Sequence, residues 1–210
     1  MSKDDFLARL RLEGGRRYHD QHPFHVKMHQ GRLTRAQIQA WVLNRFYYQT
    51  RIPIKDAIIL SKSEDPAFRR LWIHRIHDHD GRDAGEGGLA LWIKLAEGVG
   101  LDRDEVTSLR HVLPAVRFAC DAYVQLVRER TLLEAVASSL TEFFAPDIMA
   151  VRLKAWEQHY PWVDPGVQEY FRSRVTRSRN DSTEALDFVT KSDILWALLD
   201  AVAITYGDAP

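Results

Sequence analysis

One stretch of this chain dictates what the rest must do. From Ile38 to Ile52 the residues Trp41, Val42, Leu43, Phe46, Tyr47 and Ile52 recur with helical spacing and leave almost no polar face. A helix that is apolar on nearly every side has to be enclosed by other elements. Thr34 followed by Gln37 is a capping-box start for it, and the apolar pattern runs on to about Ser61. Pro53 interrupts the run and is expected to bend or break the helix there. The surrounding elements read as helices too. Asp65 followed by Pro66 opens one that stops at Asp80 before Gly81. Gly87 and Gly88 precede another, Leu89 to about Glu97, closed by the turn at Gly98–Gly100. Asp102 with Glu105 caps a short one, and Val112 to Phe144 reads as one broad apolar stretch. Pro146 and Pro165 punctuate two more, and Lys191 to about Tyr206 is strongly apolar. No alternating strand pattern and no Asn-Gly hairpin signal interrupts the series. The expectation is an all-α, compact single domain over residues 1–210, with roughly seven to nine helices.

Charge and cysteine content narrow the function classes. Lys plus Arg is 29 and Asp plus Glu is 29, so no global field draws the protein to nucleic acid or an anionic membrane. The single cysteine, Cys120, forbids an intramolecular disulfide and a Cys-x-x-Cys site, and its apolar context, RFACDAYV, suits packing better than nucleophilic attack. No run of about 18 apolar residues is present to span a membrane. The start, MSKDDFLARLRLEGG, carries charges where a signal peptide needs an apolar run, so a cytoplasmic protein is expected.

The informative residues are polar ones inside apolar helices. Arg45, Tyr48 and Gln49 share one face of the enclosed helix, with Lys55 just past the proline. A buried guanidinium without a partner costs several kcal/mol, so something must answer Arg45. Arg75 and His79 form an i, i+4 pair on the next long helix, while His74 and His77 read as helix-end residues favoured by the dipole. Tyr170 and Arg174 form another i, i+4 pair, and Tyr123, Thr141, Glu142 and Arg152 are further polar groups in apolar surroundings. Ser138 and Ser139 are expected to bond back to helix carbonyls. In YHDQHPFH, His19 reads as a loop base facing a cavity, and His22 and His25 as structural. Their spacing alone makes no metal site, since no Glu completes it at helical spacing. Arg45, Lys55, Arg75, Arg152 and Arg174 would converge inside a neutral protein, which calls for an anionic ligand with several carboxylates or phosphates. GEGG at Gly85–Gly88 lacks the lysine and the preceding strand of a phosphate loop, so carboxylates lead over nucleotides.

YHDQHPFH, the run WVLNRFYYQTRIPIKDA at Trp41–Ala57, RIHDHDG, LPAVRFACDAYV at Leu113–Val124 and LLEAVASSLTEFFAP at Leu132–Pro146 resemble the pyrroloquinoline-quinone synthase family, from about Phe6 to Tyr206. The resemblance implies a haem-oxygenase-like bundle of about seven helices that acts as a homodimer. It implies the last step of pyrroloquinoline quinone biosynthesis: ring closure and eight-electron oxidation of a bicyclic tricarboxylate precursor. Molecular oxygen is then the oxidant and hydrogen peroxide is released, with no metal or organic cofactor. Carried over by motif, Arg45, Tyr48, Gln49, Lys55, Arg75, Tyr123, Thr141, Arg152 and Lys191 bind the substrate. His79, His19, Tyr170 and Arg174 are the catalytic set, with His79 as the main general base and the other three stabilising reduced oxygen.

One departure stands out. The family carries a further helix of roughly twenty residues between LDFVT and KSDILWALLDA, whereas here Thr190 runs directly into Lys191. Either a helix is lost here, which would put the position of Lys191 and closure of the pocket in question, or two pieces meet across a missing segment; the second is favoured, because loss of a packed helix would expose its apolar neighbours. Three rival readings remain at this point. A non-haem di-iron oxidase of the same fold would use Glu142 and His79, but Arg75, Arg152 and Arg174 would repel the metals. A carrier would bind a polycarboxylate or quinone without turnover. A thiaminase-like hydrolase would need Cys120 as nucleophile.

Overall fold

The computed structural model describes residue 12, residues 18–139 and residues 145–177. Thr141, Glu142, Lys191 and the expected helix from Lys191 lie outside them. Nine α-helices are present among the described residues, and no strand. They are α1 (Pro23–His29), α2 (Arg35–Ser61), α3 (Pro66–Asp80), α4 (Gly87–Gly98), α5 (Arg103–Thr107), α6 (Pro114–Glu129), α7 (Leu132–Ala137), α8 (Ala145–His159) and α9 (Glu169–Arg177). Short 3-10 turns, His19–Gln21 and Pro165–Gln168, precede α1 and α9.

The enclosed helix is α2, and it is the axis of the bundle. Thr34 accepts the Gln37 amide while the Gln37 side chain returns to the Thr34 amide, and the helix runs 27 residues from that box. It packs against α3, α4, α6 and α7. Pro53 does not break it. The proline removes the amide that would have met the Gln49 carbonyl, but Ile52, Pro53, Lys55, Asp56 and Ile59 are all buried around that turn. Packing of that buried face outweighs one lost backbone bond, although Ile54 on the opposite side is exposed.

Aromatic contacts tie α2 to the far side. Trp41 lies 5.5 Å from Trp92 of α4 and 6.1 Å from Trp156 of α8, centroid to centroid. Trp156 in turn packs on Phe171 of α9 at 5.1 Å. The Trp92 indole N–H donates to the Val42 carbonyl at 3.0 Å, which satisfies its one polar atom.

Two boundaries differ from the sequence reading. The stretch from Val112 to Phe144 is not one helix: the chain turns at Arg130, and Thr131 with Glu134 forms a second capping box that starts α7. Lys62 reaches across to donate to the carbonyls of Arg128 and Arg130, which answers the open end of α6. The α4 helix begins at Gly87, two residues earlier than expected, and any side chain at Gly87 would strike the backbone of Gly81 at 2.4 Å. That close approach lays the end of α3, with His79, against the start of α4.

Candidate active site

The α2 helix carries a buried polar seam. Arg45, Gln49, Ile52 and Asp56 follow one another at intervals of four, three and four, and Tyr48 and Lys55 flank them. Each is buried. Eleven of the thirteen residues expected from the sequence fall among the described residues, and they gather along this seam in three connected groups.

The first group meets α3 and α9. Tyr170 donates its hydroxyl to Gln49 Oε1 at 2.9 Å and stands edge-on to Trp92. One turn on, Arg174 Nη2 lies 2.8 Å from His79 Nε2, and its guanidinium sits over the Tyr170 ring. A guanidinium has only donors, so Nε2 presents its lone pair. His79 Nδ1 then donates to the Arg75 carbonyl at 3.2 Å, one turn back along α3. Gly88 lies close by: a Cβ there would stand 3.0 Å from Arg174 Nη2.

The second group meets α7. Lys55 Nζ bonds Asp56 Oδ1 at 2.7 Å and donates to Ser139 Oγ at 2.8 Å. Arg75 Nε takes the same Asp56 oxygen at 3.3 Å, with its guanidinium over Trp72. Tyr123, whose ring lies 5.9 Å from the Lys55 ammonium, donates its hydroxyl to the Ser138 carbonyl.

The third group meets α1 and α8. Arg45 stacks on the Tyr48 ring at 4.0 Å. Arg152, 1% exposed, lies over Trp41 and reaches His25 Nε2 at 3.4 Å and Met149 Sδ at 3.5 Å. Among the described residues neither guanidinium meets a carboxylate, and Arg152 Nε has no hydrogen-bond partner. Burial, and then the neighbouring charge of Arg45, pulls Arg152 down from its ordinary range to about 9. The same effects, with Arg152 foremost after burial, hold His25 well below the usual histidine range. His25 Nδ1 donates to the His19 carbonyl at 2.9 Å and lies 3.2 Å from His19 Nδ1, so a neutral ring links His19 to Arg152.

Some expectations need correction. Ser138 does bond back to a helix carbonyl, that of Ala135, but Ser139 is a ligand of Lys55. His22 is structural, accepting the Phe24 amide as the cap of α1. His25 stands between His19 and Arg152. The five cations are not all unanswered: Asp56, which the sequence reading passed over, takes two of them. Its signal was present, an acid at the seam's own spacing beside Lys55. Ser139 and His25 carried no comparable local signal.

Cys120 is fully buried, and burial pushes its thiol up to about 12. A thiolate nucleophile is disfavoured there. Iodoacetamide at neutral pH is expected to leave the folded protein unmodified and its activity intact; stoichiometric inactivation would return Cys120 to the chemistry.

Burial holds His25 well below 6.5 and His29 at about 4, so both stay neutral when the unfolded chain takes up protons. The unfolded state then binds more protons, and stability falls as pH drops below about 6.5. Denaturant melts at pH 7 and pH 5 should show the loss, and His29→Asn should make it shallower. A slope identical in the variant would contradict this.

The model of the TENA/THI-4/PQQC family matches residues 7–206. Proteins named pyrroloquinoline-quinone synthase from Xanthomonas campestris pv. campestris (strain 8004), Xanthomonas oryzae pv. oryzae (strain PXO99A) and Xanthomonas axonopodis pv. citri (strain 306) are each 48% identical over 224 residues. Each alignment covers 98% of this chain and 90% of the relative. Since 98% of the chain is about 206 residues, about 18 aligned positions of the relative have no counterpart here. Among solved structures, a domain of unknown function with a heme oxygenase-like fold from Shewanella denitrificans superposes with a TM-score of 0.74 at 14% identity, covering 100% of this chain and 97% of that one.

Proposed function

This chain belongs to the TENA/THI-4/PQQC family, and from that premise we propose that it performs the final step of pyrroloquinoline quinone biosynthesis. In this reading it closes a ring in a bicyclic tricarboxylate precursor and removes eight electrons. Molecular oxygen is the acceptor, hydrogen peroxide is released, and no metal or organic cofactor takes part. The observation that carries the reading is the pair Arg45 and Arg152, two buried guanidiniums that meet no carboxylate among the described residues. A site that holds two such cations is stabilised by an incoming anion, and carboxylates match guanidinium geometry bidentately.

The remaining groups divide the chemistry. His79 presents a lone pair at Nε2 and is oriented by the Arg75 carbonyl at Nδ1, which suits a general base removing ring protons. Arg174 and Tyr170, beside it, supply positive charge and a hydroxyl to oxygen as it is reduced. Arg174 Nη2 lies against that same Nε2, so the base becomes available when the incoming ligand draws the guanidinium away. His19, joined through His25 to Arg152, has the second proton-transfer role. The enzyme works as a cytoplasmic homodimer in this account.

The test is to mix chelator-treated protein with the bicyclic precursor in air. Appearance of quinone absorbance supports the proposal. Binding without oxygen uptake would make the protein a carrier, and activity that returns only with iron would make it a di-iron oxidase.

A further inference from the structure

Arg152 is a buried cation that meets no carboxylate among the described residues. Its side chain enters from α8. Nε has no hydrogen-bond partner there, Nη1 faces the Met149 thioether at 3.5 Å, and Nη2 lies 3.4 Å from His25 Nε2. Lys55 and Arg75 meet the Asp56 carboxylate, whereas Arg152 meets a ring nitrogen and a sulfur.

His25 comes from α1 and is equally buried. Its ring stands edge-on to Trp41 at 6.2 Å and stacks on His29 at 6.0 Å, so packing fixes its plane. The two ring nitrogens have distinct roles. Nδ1 lies 2.9 Å from the His19 carbonyl, which can only accept, so Nδ1 carries the proton. Nε2 faces a guanidinium, which can only donate, so Nε2 presents its lone pair. Both contacts require the same neutral tautomer, and burial, followed by the charge of Arg152, favours the neutral ring. A charged His25 would turn an N–H toward Arg152 and lose the contact.

We infer that His25 is a positioning residue of the anion site: its Nε2 lone pair holds the Arg152 guanidinium in place without neutralising it, which leaves the positive charge for a ligand. The inference rests on the polycarboxylate reading of the site. An acceptor is needed there, since a buried guanidinium without one is costly and its long side chain is free to turn. A carboxylate in the same place would form an internal ion pair, which an incoming anion would have to displace. A neutral imidazole supplies the acceptor without that competition.

The test is calorimetric titration of three variants with pyrroloquinoline quinone as the probe, with melting curves recorded in parallel. Glutamine and asparagine separate the two ends of the ring. The Gln amide reaches about as far as Nε2 and can offer its oxygen to Arg152, while the shorter Asn amide can keep only the bond to the His19 carbonyl. His25→Gln should bind within about threefold of wild type. His25→Asn should bind about tenfold more weakly, the scale of one hydrogen bond to a charged group. His25→Glu has the length of Gln but carries a charge, and should weaken binding by about a hundredfold or more, because Arg152 is then already neutralised.

His25→Glu binding as tightly as His25→Gln would overturn the inference. So would His25→Asn binding as tightly as His25→Gln or more tightly, since the ring would then serve the His19 carbonyl instead. Should His25→Glu fail to fold, the order of the Gln and Asn variants decides. A wild-type chain that does not bind the quinone would instead overturn the polycarboxylate reading, and this inference with it.

Discussion

Arg152→Met should weaken binding of pyrroloquinoline quinone by about a hundredfold or more while raising the melting temperature of the ligand-free protein. Both effects follow from one geometry. Arg152 is fully buried over Trp41 and Phe171, its nearest polar partners are the neutral His25 and a thioether, and Arg45 adds a like charge. A guanidinium does not give up its proton near neutral pH, so the empty site carries the cost of an uncompensated cation. Methionine fills similar space without charge and relieves that cost by about 1–4 kcal/mol, or several degrees for a chain of this size. The ligand loses a bidentate, charge-assisted contact of about 3–5 kcal/mol, which sets the affinity loss. Titration and melting curves on the same sample check both. Unchanged affinity would remove Arg152 from the site, and a lower melting temperature would mean that the cation is satisfied in a way the seam does not reveal.

His79→Ala should lower turnover by roughly a hundred- to ten-thousandfold, the range for loss of a positioned general base, with quinone affinity changed by less than about threefold. The imidazole contacts the Arg75 carbonyl and Arg174, and Arg45 and Arg152, the guanidiniums proposed to take the carboxylates, belong to a different group along the seam. Removing the ring leaves their stacking on Tyr48 and Trp41 in place. Single-turnover absorbance traces and a parallel titration separate the two quantities. Normal turnover in His79→Ala would assign the base elsewhere, with His19 next to test.

The parts of this fold that were legible in the chain are those set by local chemistry. Thr34 with Gln37, Asp65 with Pro66, and Asp102 with Glu105 each mark a helix start where the structure has one, because a cap needs only residues three or fewer apart. Thr131 with Glu134 is the same signal, hidden inside an apolar run that reads as uninterrupted. Pro53 misleads for the opposite reason: its local effect is outweighed by the burial of Ile52, Pro53, Lys55, Asp56 and Ile59 around it. The site follows the same division. Arg45, Tyr48, Gln49 and Lys55 share a helix face and can be read from spacing, as can Arg75 with His79 and Tyr170 with Arg174. That Asp56 answers two cations, that Ser139 holds Lys55, and that His25 joins His19 to Arg152 depend on which helices meet. Lys55 and Asp56 are neighbours in the chain, but the other contacts span from six residues to more than a hundred, and periodicity carries no record of them.

In the proposed reading this chain oxidises its ligand with oxygen alone. The most direct measurement follows oxygen uptake, peroxide and quinone absorbance together, in one chelator-treated reaction of the intact chain with the bicyclic precursor. Quinone is expected to form without added metal, with the electrons taken up as peroxide and water summing to eight per quinone. Quinone formation only after iron is restored, or tight binding with no oxygen consumed, would contradict it.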